Sequence, residues 1–247
     1  MNIDAVLSPL ELPALARRNL SGTACVVFDI LRATSSFVTA LHNGAAAVIP
    51  VSEIPEAITR RRQQPEVLLA GERGGVRICT IHAGGVNFDF GNSPREFTPE
   101  KVRGKTIVST TTNGTRALRA CAGAPMVLAA SFLNLAATAR HLQKLAPAEI
   151  VLVCAGTGNG VALEDVLAAG ALGELLTGDF SDAAATARRA YAAVCTDLNA
   201  AVAGSQNARR LLALTDLRAD VKFCVQRDVF NIAVAMTAEG SLRRVAV

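Results

Sequence analysis

Acids, arginines and hydroxyl residues collect at four places in this 247-residue chain, each directly after a short apolar run. Asp29 and Arg32 follow one run, and Gly71-Glu72-Arg73 another. Ser109-Thr110-Thr111-Thr112-Asn113-Gly114-Thr115-Arg116 follows a third, and residues 156–165, ending in Glu164-Asp165, follow a fourth. In open α/β sheets ligands bind beyond the carboxyl ends of the strands. One such cluster would mean little; four on the same nominal edge imply a site.

The segment from Ser109 to Arg116 has the composition of an anion cradle. Four successive hydroxyl residues, Asn-Gly and an Arg on the first turn of a helix could aim hydroxyls, free amides and a guanidinium fork at one anion. The competing reading is a Thr-rich helix cap with Arg116 on the surface. Asp29, leaving a hydrophobic run, has three open roles: Mg²⁺ ligand, helix cap or partner of a nearby Arg. Glu164 and Asp165 sit where the helix dipole alone favours acids. Glu72 lies between Gly71 and Arg73-Gly74-Gly75, where capping is a poorer explanation. Phe90-Gly91-Asn92-Ser93-Pro94 reads as a tight turn whose Asn92 and Ser93 either close it or reach a ligand.

Several known phosphate and cofactor chemistries fail on spacing. No Cys has an Arg six places on, so a C-x5-R phosphatase loop is absent; Cys25 to Arg32 misses by one residue. Asp29-Ile30-Leu31 lacks the second acid of D-x-D-x-T, and Arg140-His141-Leu142 is not R-H-G. Gly104-Lys105-Thr106 has Pro99 where a Walker A loop needs its first Gly, and Gly156-Thr157-Gly158-Asn159-Gly160-Val161 is a poor dinucleotide fingerprint. His42, His82 and His141 form no metal-binding spacing and read as structural.

These clusters need strands to carry them. Residues 24–30, 46–51, 66–70, 106–109, 126–130 and 149–154 read as strands. Residues 35–43, 54–63, 114–121, 133–145 and 163–176 read as the helices between them. Continuous apolar strands alternating with helices predict an α/β fold, a mostly parallel sheet covered by helices. Residues 182–214 read as helix interrupted near Gly204-Ser205, and the tail, 230–236 then 242–247, as a β-hairpin. The one long irregular stretch, 71–99, is of the kind that is usually functional or flexible. The chain is expected to be a single catalytic unit over residues 1–247, any lobe boundary falling near 122–126.

Composition excludes other classes. Fifty-one per cent hydrophobic residues rules out disorder, and no apolar run approaches the ~20 residues of a spanning helix. The start has acids before its apolar residues and a proline in the middle, unlike a signal peptide, so a cytoplasmic protein without membrane contact is expected. Twenty-five basic against twenty-one acidic residues gives only +4, with 4% aromatics. Arg60-Arg61-Arg62 is better explained as a solvated helix face than as a nucleic-acid stripe. The six cysteines form no C-x-x-C, and Cys25, Cys154 and Cys224 sit in apolar runs, which suits reduced, buried thiols.

Taken in order, the segments Asp29-Ile-Leu-Arg-Ala-Thr-Ser35, Leu69-Ala-Gly-Glu-Arg-Gly-Gly75, Phe88-Asp-Phe-Gly-Asn-Ser-Pro94, Thr110-Thr-Thr-Asn-Gly-Thr-Arg-Ala117 and Cys154-Ala-Gly-Thr…Glu164-Asp165 are similar to the 2-phosphosulfolactate phosphatase family, also called ComB. The resemblance runs from about residue 26 to 176. It implies two α/β lobes with the site between them, a place in coenzyme M biosynthesis, and Mg²⁺-dependent hydrolysis of 2-phospho-3-sulfolactate, a compact trianion. It further implies a small-molecule anionic substrate, no nucleic-acid partner and a homo-oligomer.

Carried onto this chain, the resemblance makes Asp29, Arg32, Glu72 and Arg116 the catalytic candidates. Arg73, Asn92, Ser93, Thr110, Thr111, Thr112, Asn113, Gly114 and Thr115 become substrate-binding candidates. Hard carboxylate oxygens for Mg²⁺ would come from Asp29, Glu72, Glu164 and Asp165. Water activated by one of these acids is the preferred nucleophile, with a phospho-aspartate on Asp29 as the alternative. Between Gly75 and Phe88 the chain carries a longer link than the family's, which leaves room for a different phosphorylated hydroxy acid. The reading from another class is a non-catalytic sensor of a phosphorylated or sulfonated acid; four carboxylates at the mouth argue against it.

Overall fold

The computed structural model describes residues 1–80 and 83–247; His82 lies outside them. The strands are β1 (Asn2–Val6), β2 (Thr23–Phe28), β3 (Ala47–Pro50), β4 (Leu68–Arg73), β5 (Val76–Arg77), β6 (Thr106–Thr110), β7 (Met126–Ala130), β8 (Glu149–Cys154), β9 (Asp179–Phe180), β10 (Ala233–Met236) and β11 (Leu242–Val245). The helices are α1 (Leu12–Leu15), α2 (Ala33–His42), α3 (Ile54–Gln63), α4 (Pro99–Val102), α5 (Gly114–Ala120), α6 (Leu135–Leu145), α7 (Leu163–Gly173), α8 (Asp182–Ala192), α9 (Leu198–Ala203), α10 (Gln206–Leu212) and α11 (Arg218–Cys224).

The described strands form one mostly parallel sheet in the order β5-β4-β6-β3-β11-β10-β7-β2-β8-β1-β9, with helices on its faces. Each central strand feeds two cores, because alternate side chains of a strand point to opposite faces. Ala24, Val26 and Phe28 of β2 join Ile150 and Leu152 of β8 under α6 and α7. Cys25 and Val27 join Val151 and Val153 on the face covered by α2 and α5. A third cluster, Val67, Leu69, Val108, Ile78 and Phe88, packs around Ala57 of α3.

Two parallel sets, β4-β6-β3 and β7-β2-β8-β1-β9, flank the antiparallel pair β10/β11. Three successive antiparallel steps, β3-β11, β11-β10 and β10-β7, make the sets run in opposite senses. A flat sheet would therefore put their carboxyl ends on opposite edges. Six interstrand steps separate β4 from β2, and twist of about 20–25° per step accumulates to roughly 120–150°. Twist of that size acts against the reversal, and residues after β2, β4 and β6 do line one cavity.

Sequence reading and structure differ at both ends of the chain. Residues 2–6 form β1, paired with β8 and β9, where no strand was expected. The helical stretch predicted for 182–214 is interrupted at Gly204-Ser205 as expected, between α9 and α10, but also between α8 and α9, and a further helix, α11, follows. The irregular stretch 71–99 extends β4 to Arg73 and adds β5.

Candidate functional site

Asp29 begins the site. It is held where β2 gives way to α2: its backbone carbonyl accepts from Thr34 N, and its N–H is accepted by Thr34 Oγ1 at 3.0 Å. Its Oδ1 accepts from Ala33 N at 3.0 Å, and the N–H of Gly114 also serves its carboxylate. A Cβ on residue 114 would stand 2.8 Å from Asp29 Oδ2 and 2.7 Å from Ala33 Cβ. Only glycine lets α5 come this close.

Glu72, at the end of β4, reaches across to the segment after β6. Its Oε1 accepts from both the N–H and Oγ1 of Thr112 at 2.9 Å, and its Oε2 from Gly75 N at 2.7 Å. Gly74 and Gly75, at φ +62° and +85°, form the tight turn that brings that N–H back to the carboxylate. Asp29 and Glu72 are both 8% exposed and line one cavity. Arg32, Asn92, Thr112 and Asn113 line it as well, together with Thr157, Gly158, Asn207 and Arg210. Its volume, ≈ 290 Å³, lies at the lower end of ligand cavities and suits a small substrate.

Glu164 and Asp165, at the start of α7, lie behind this cavity and differ from each other. Asp165 is committed: Oδ1 accepts from Ile30 N at 2.8 Å and Oδ2 from Gly156 N at 3.0 Å, which ties α7 to the loops after β2 and β8. Glu164 Oε1 accepts from Asn207 Nδ2 at 2.7 Å, while its buried Oε2 has no partner among the described residues. Burial first, then the charges of Glu72 and Glu164, push the Asp29 carboxyl up to about 7, against the pull of its N–H donors. Asp165 is likewise raised well above the ordinary carboxylate range, by burial and then by Asp29 and Glu164. Four carboxyl groups thus crowd one buried corner, and no three His, Cys, Asp or Glu side chains among the described residues form a metal cage.

The arginines fall into three situations. Arg32 is 3% exposed; its Nη1 donates to Asp220 Oδ2 at 2.7 Å and its Nη2 to the Gly75 carbonyl at 2.6 Å. Arg73 donates to the Thr110 hydroxyl and to its own neighbour's carbonyl. Arg116 is exposed and outside the cavity lining.

The hydroxyl cradle divides in the same way. Thr112 and Asn113 face the cavity, and Asn113 Oδ1 is buried without a partner among the described residues. Thr110 donates to the Ser52 carbonyl, Thr115 to the Thr111 carbonyl, and Thr111 Oγ1 accepts from Thr115 N. These three stabilise the turn into α5. Ser93 points away, donating to Asp220 Oδ1 at 2.7 Å, whereas Asn92 is held at the cavity by Ser36, which donates to its carbonyl. His42 stacks on Phe230 and His141 meets the carbonyl of Ala246, both away from the cavity.

A profile of the 2-phosphosulpholactate phosphatase family matches residues 11–239. The chain belongs to the 2-phosphosulfolactate phosphatase family. It is 41% identical over 230 residues to a probable 2-phosphosulfolactate phosphatase of Thermotoga petrophila, covering 93% of this chain and 92% of that one. A protein of the same description from Caldanaerobacter subterraneus is 42% identical, covering 87% and 88%. One from Synechococcus is 35% identical, covering 96% and 98%.

The family match extends past residue 176, across helices α8 to α11. Those helices bring Asn207, Arg210 and Asp220 to the site. Asp220 left a trace in the sequence: Leu217, Val221 and Cys224 lie at helical spacing from it, so an acid occupies the apolar stripe of α11. A fully buried acid of this kind needs a charged partner. Among the described residues, no helix is long and apolar enough to cross a membrane.

Proposed function

We propose that this chain hydrolyses the phosphate monoester of a small polyanionic hydroxy acid, with 2-phosphosulfolactate as substrate and Mg²⁺ as cofactor. One observation carries the reading: a single small cavity has two buried carboxylates, Asp29 and Glu72, together with two guanidinium groups, Arg32 and Arg210. The names of the relatives support the choice of substrate.

The residues fit Mg²⁺. Its preference is for one or two carboxylates with waters and substrate oxygens completing an octahedron, so a three-residue cage is unnecessary. Asp29 and Glu72 would hold it, with Glu164 supplying further negative charge from behind. The upward push on Asp29 and the unpartnered Oε2 of Glu164 mark a corner short of positive charge. Bound there, the ion would offset charge on the phosphoryl oxygens.

The chain's own groups do the remainder. Thr112 holds Glu72 in place by donating both its N–H and its hydroxyl, Asn113 orients the phosphoryl group through its amide N–H₂, and Arg32 gives charge from a fixed position. A water oxygen attacks phosphorus as the ester P–O bond breaks. The acid cluster takes a proton from that water, and the leaving alkoxide takes one back, so ester and water become hydroxy acid and phosphate.

The test is phosphate release from 2-phosphosulfolactate, with and without Mg²⁺, by wild type and Asp29→Asn. Metal-dependent turnover should fall at least about 100-fold in the variant. The variant should stay folded, since an amide oxygen still accepts from Ala33 N. A folded wild type that releases no phosphate in either condition, from this ester or from phospholactate, would overturn the reading and favour a binding protein.

A further inference from the structure

Among the arginines near the cavity, Arg210 is the one left uncommitted. Arg32 is tied to Asp220 and Gly75, and Arg73 to Thr110. Arg210 lines the same cavity, is exposed, and has no hydrogen-bond or ion-pair partner among the described residues. Its helix is nevertheless anchored. Asn207, one turn earlier on α10, donates to Glu164 Oε1 at 2.7 Å and to Thr157 Oγ1 at 2.5 Å. Asn207, Arg210 and Leu211, at i, i+3 and i+4, form one face of α10, and all three line the cavity.

We propose that Arg210 binds the sulfonate of the substrate and so sets the preference for a sulfonated ester; this rests on the function proposed above. The carboxylates that would hold the metal, and through it the phosphoryl group, are at the buried floor, and Arg210 is at the exposed rim. In 2-phosphosulfolactate the carboxylate is attached to the carbon that bears the phosphate, while the sulfonate lies one methylene further out. The group most distant from phosphorus reaches the rim. A sulfonate is a permanent anion with three acceptor oxygens, which a guanidinium fork can grip through two N–H donors. The anchored helix and exposed, unpaired side chain give a reader that is placed near the floor and has its donors available to a ligand.

The test compares kcat/KM for 2-phosphosulfolactate and for 2-phospholactate, which keeps phosphate and carboxylate but lacks sulfonate, in wild type, Arg210→Gln and Arg210→Lys. The ratio of the two values should fall about 10- to 100-fold in the Gln variant, mostly through KM. Lys should restore only part of it, since a single ammonium lacks the fork. Equal losses on both substrates would assign Arg210 to the carboxylate or phosphate and overturn the inference, as would no loss on either. If wild type hydrolyses neither ester, the proposed function fails, and calorimetry with sulfolactate decides the inference separately. Weaker binding to Arg210→Gln than to wild type supports it; equal binding or none overturns it.

Discussion

Asp220→Asn removes one charge from a pair that is sealed from water and 188 residues apart in sequence. The Asp220 side chain is 0% exposed and that of Arg32 2%. The carboxylate takes Arg32 Nη1 on one oxygen and Ser93 Oγ on the other, each at 2.7 Å. Asparagine keeps the shape but offers one acceptor oxygen for two donors and turns an amide N–H₂ toward the second. Arg32 would then be a buried cation with one strong acceptor left, the Gly75 carbonyl. Removing one partner of a buried pair costs about 3–5 kcal/mol. In a chain of this size, where each kcal/mol moves the midpoint about 2–4 °C, Tm should drop about 6–20 °C. The site should suffer too, because Gly75 accepts from Arg32 and donates to Glu72, so the pair steadies the turn that holds a site carboxylate. Thermal unfolding by circular dichroism and phosphate release measure the two effects. Arg32→Met/Asp220→Leu separates them: replacing both charges should recover most of the stability, but not the turnover. A Tm for Asp220→Asn within about 2 °C of wild type would refute the claim that this charge holds Arg32 in place.

Two further outcomes follow from the crowded carboxylates. Asp29 has a folded pKa of about 7 against an ordinary 3.8, so its contribution to stability is fully present below about pH 4 and is lost as pH rises through 7. The loss is of order 4 kcal/mol in metal-free protein. Mg²⁺ should flatten this decline, and unfolding midpoints at pH 5 and 8 that change equally with and without Mg²⁺ would count against a metal at Asp29. Gly114→Ala forces a methyl to within 3 Å of Asp29 Oδ2 and Ala33 Cβ; it should cost about 1–3 kcal/mol in urea unfolding and displace the carboxylate, with at least a tenfold loss of kcat.

The strands that carry the site were legible because β2 and β8 are nearly continuous apolar runs ending in polar residues, and such runs belong to a sheet covered on both faces; β6 shows the same switch after only Ile107 and Val108. The elements missed were short or locally ambiguous. β1 gives five residues with one acid inside, and α11 follows a Thr-Asp-Leu turn after residues that already read as a helix end. Residue types at the site were readable, but their orientation was not. Thr110, Thr111 and Thr115 have the right chemistry for an anion, yet each hydroxyl is used by backbone or a neighbouring side chain. Asp165 has the right chemistry for a metal, yet it is buried outside the cavity lining, where its oxygens tie α7 to the loops after β2 and β8. Which lone pairs remain free is decided by turns and distant elements, and Asp220 shows the extreme, since its partner lies at the other end of the chain.

The site's charges fit the proposed pairing of a cation with an anion. On the floor, Asp29, Glu72, Glu164 and Asp165 stand together with donors for some of their oxygens but no guanidinium paired to any of them among the described residues. Arg32, the cation nearest by sequence, is instead neutralised by Asp220. Had Arg32 paired with Asp29, the floor would be satisfied and would have little affinity for a divalent ion. By engaging Arg32 from the far side, Asp220 leaves the acids uncompensated while still presenting a guanidinium to the cavity. The rim carries the opposite imbalance in Arg210, a cation without an acid. Each half is incomplete alone, and a divalent cation carrying a polyanionic phosphate ester completes both at once. This arrangement predicts mutual dependence: Mg²⁺ should tighten sulfolactate binding in wild type, and Asp220→Asn, by freeing Arg32 to turn toward the acids, should weaken that coupling even in the fraction that stays folded. Calorimetry of sulfolactate with and without Mg²⁺ measures it, and equal affinities in the two conditions would show that the halves act independently.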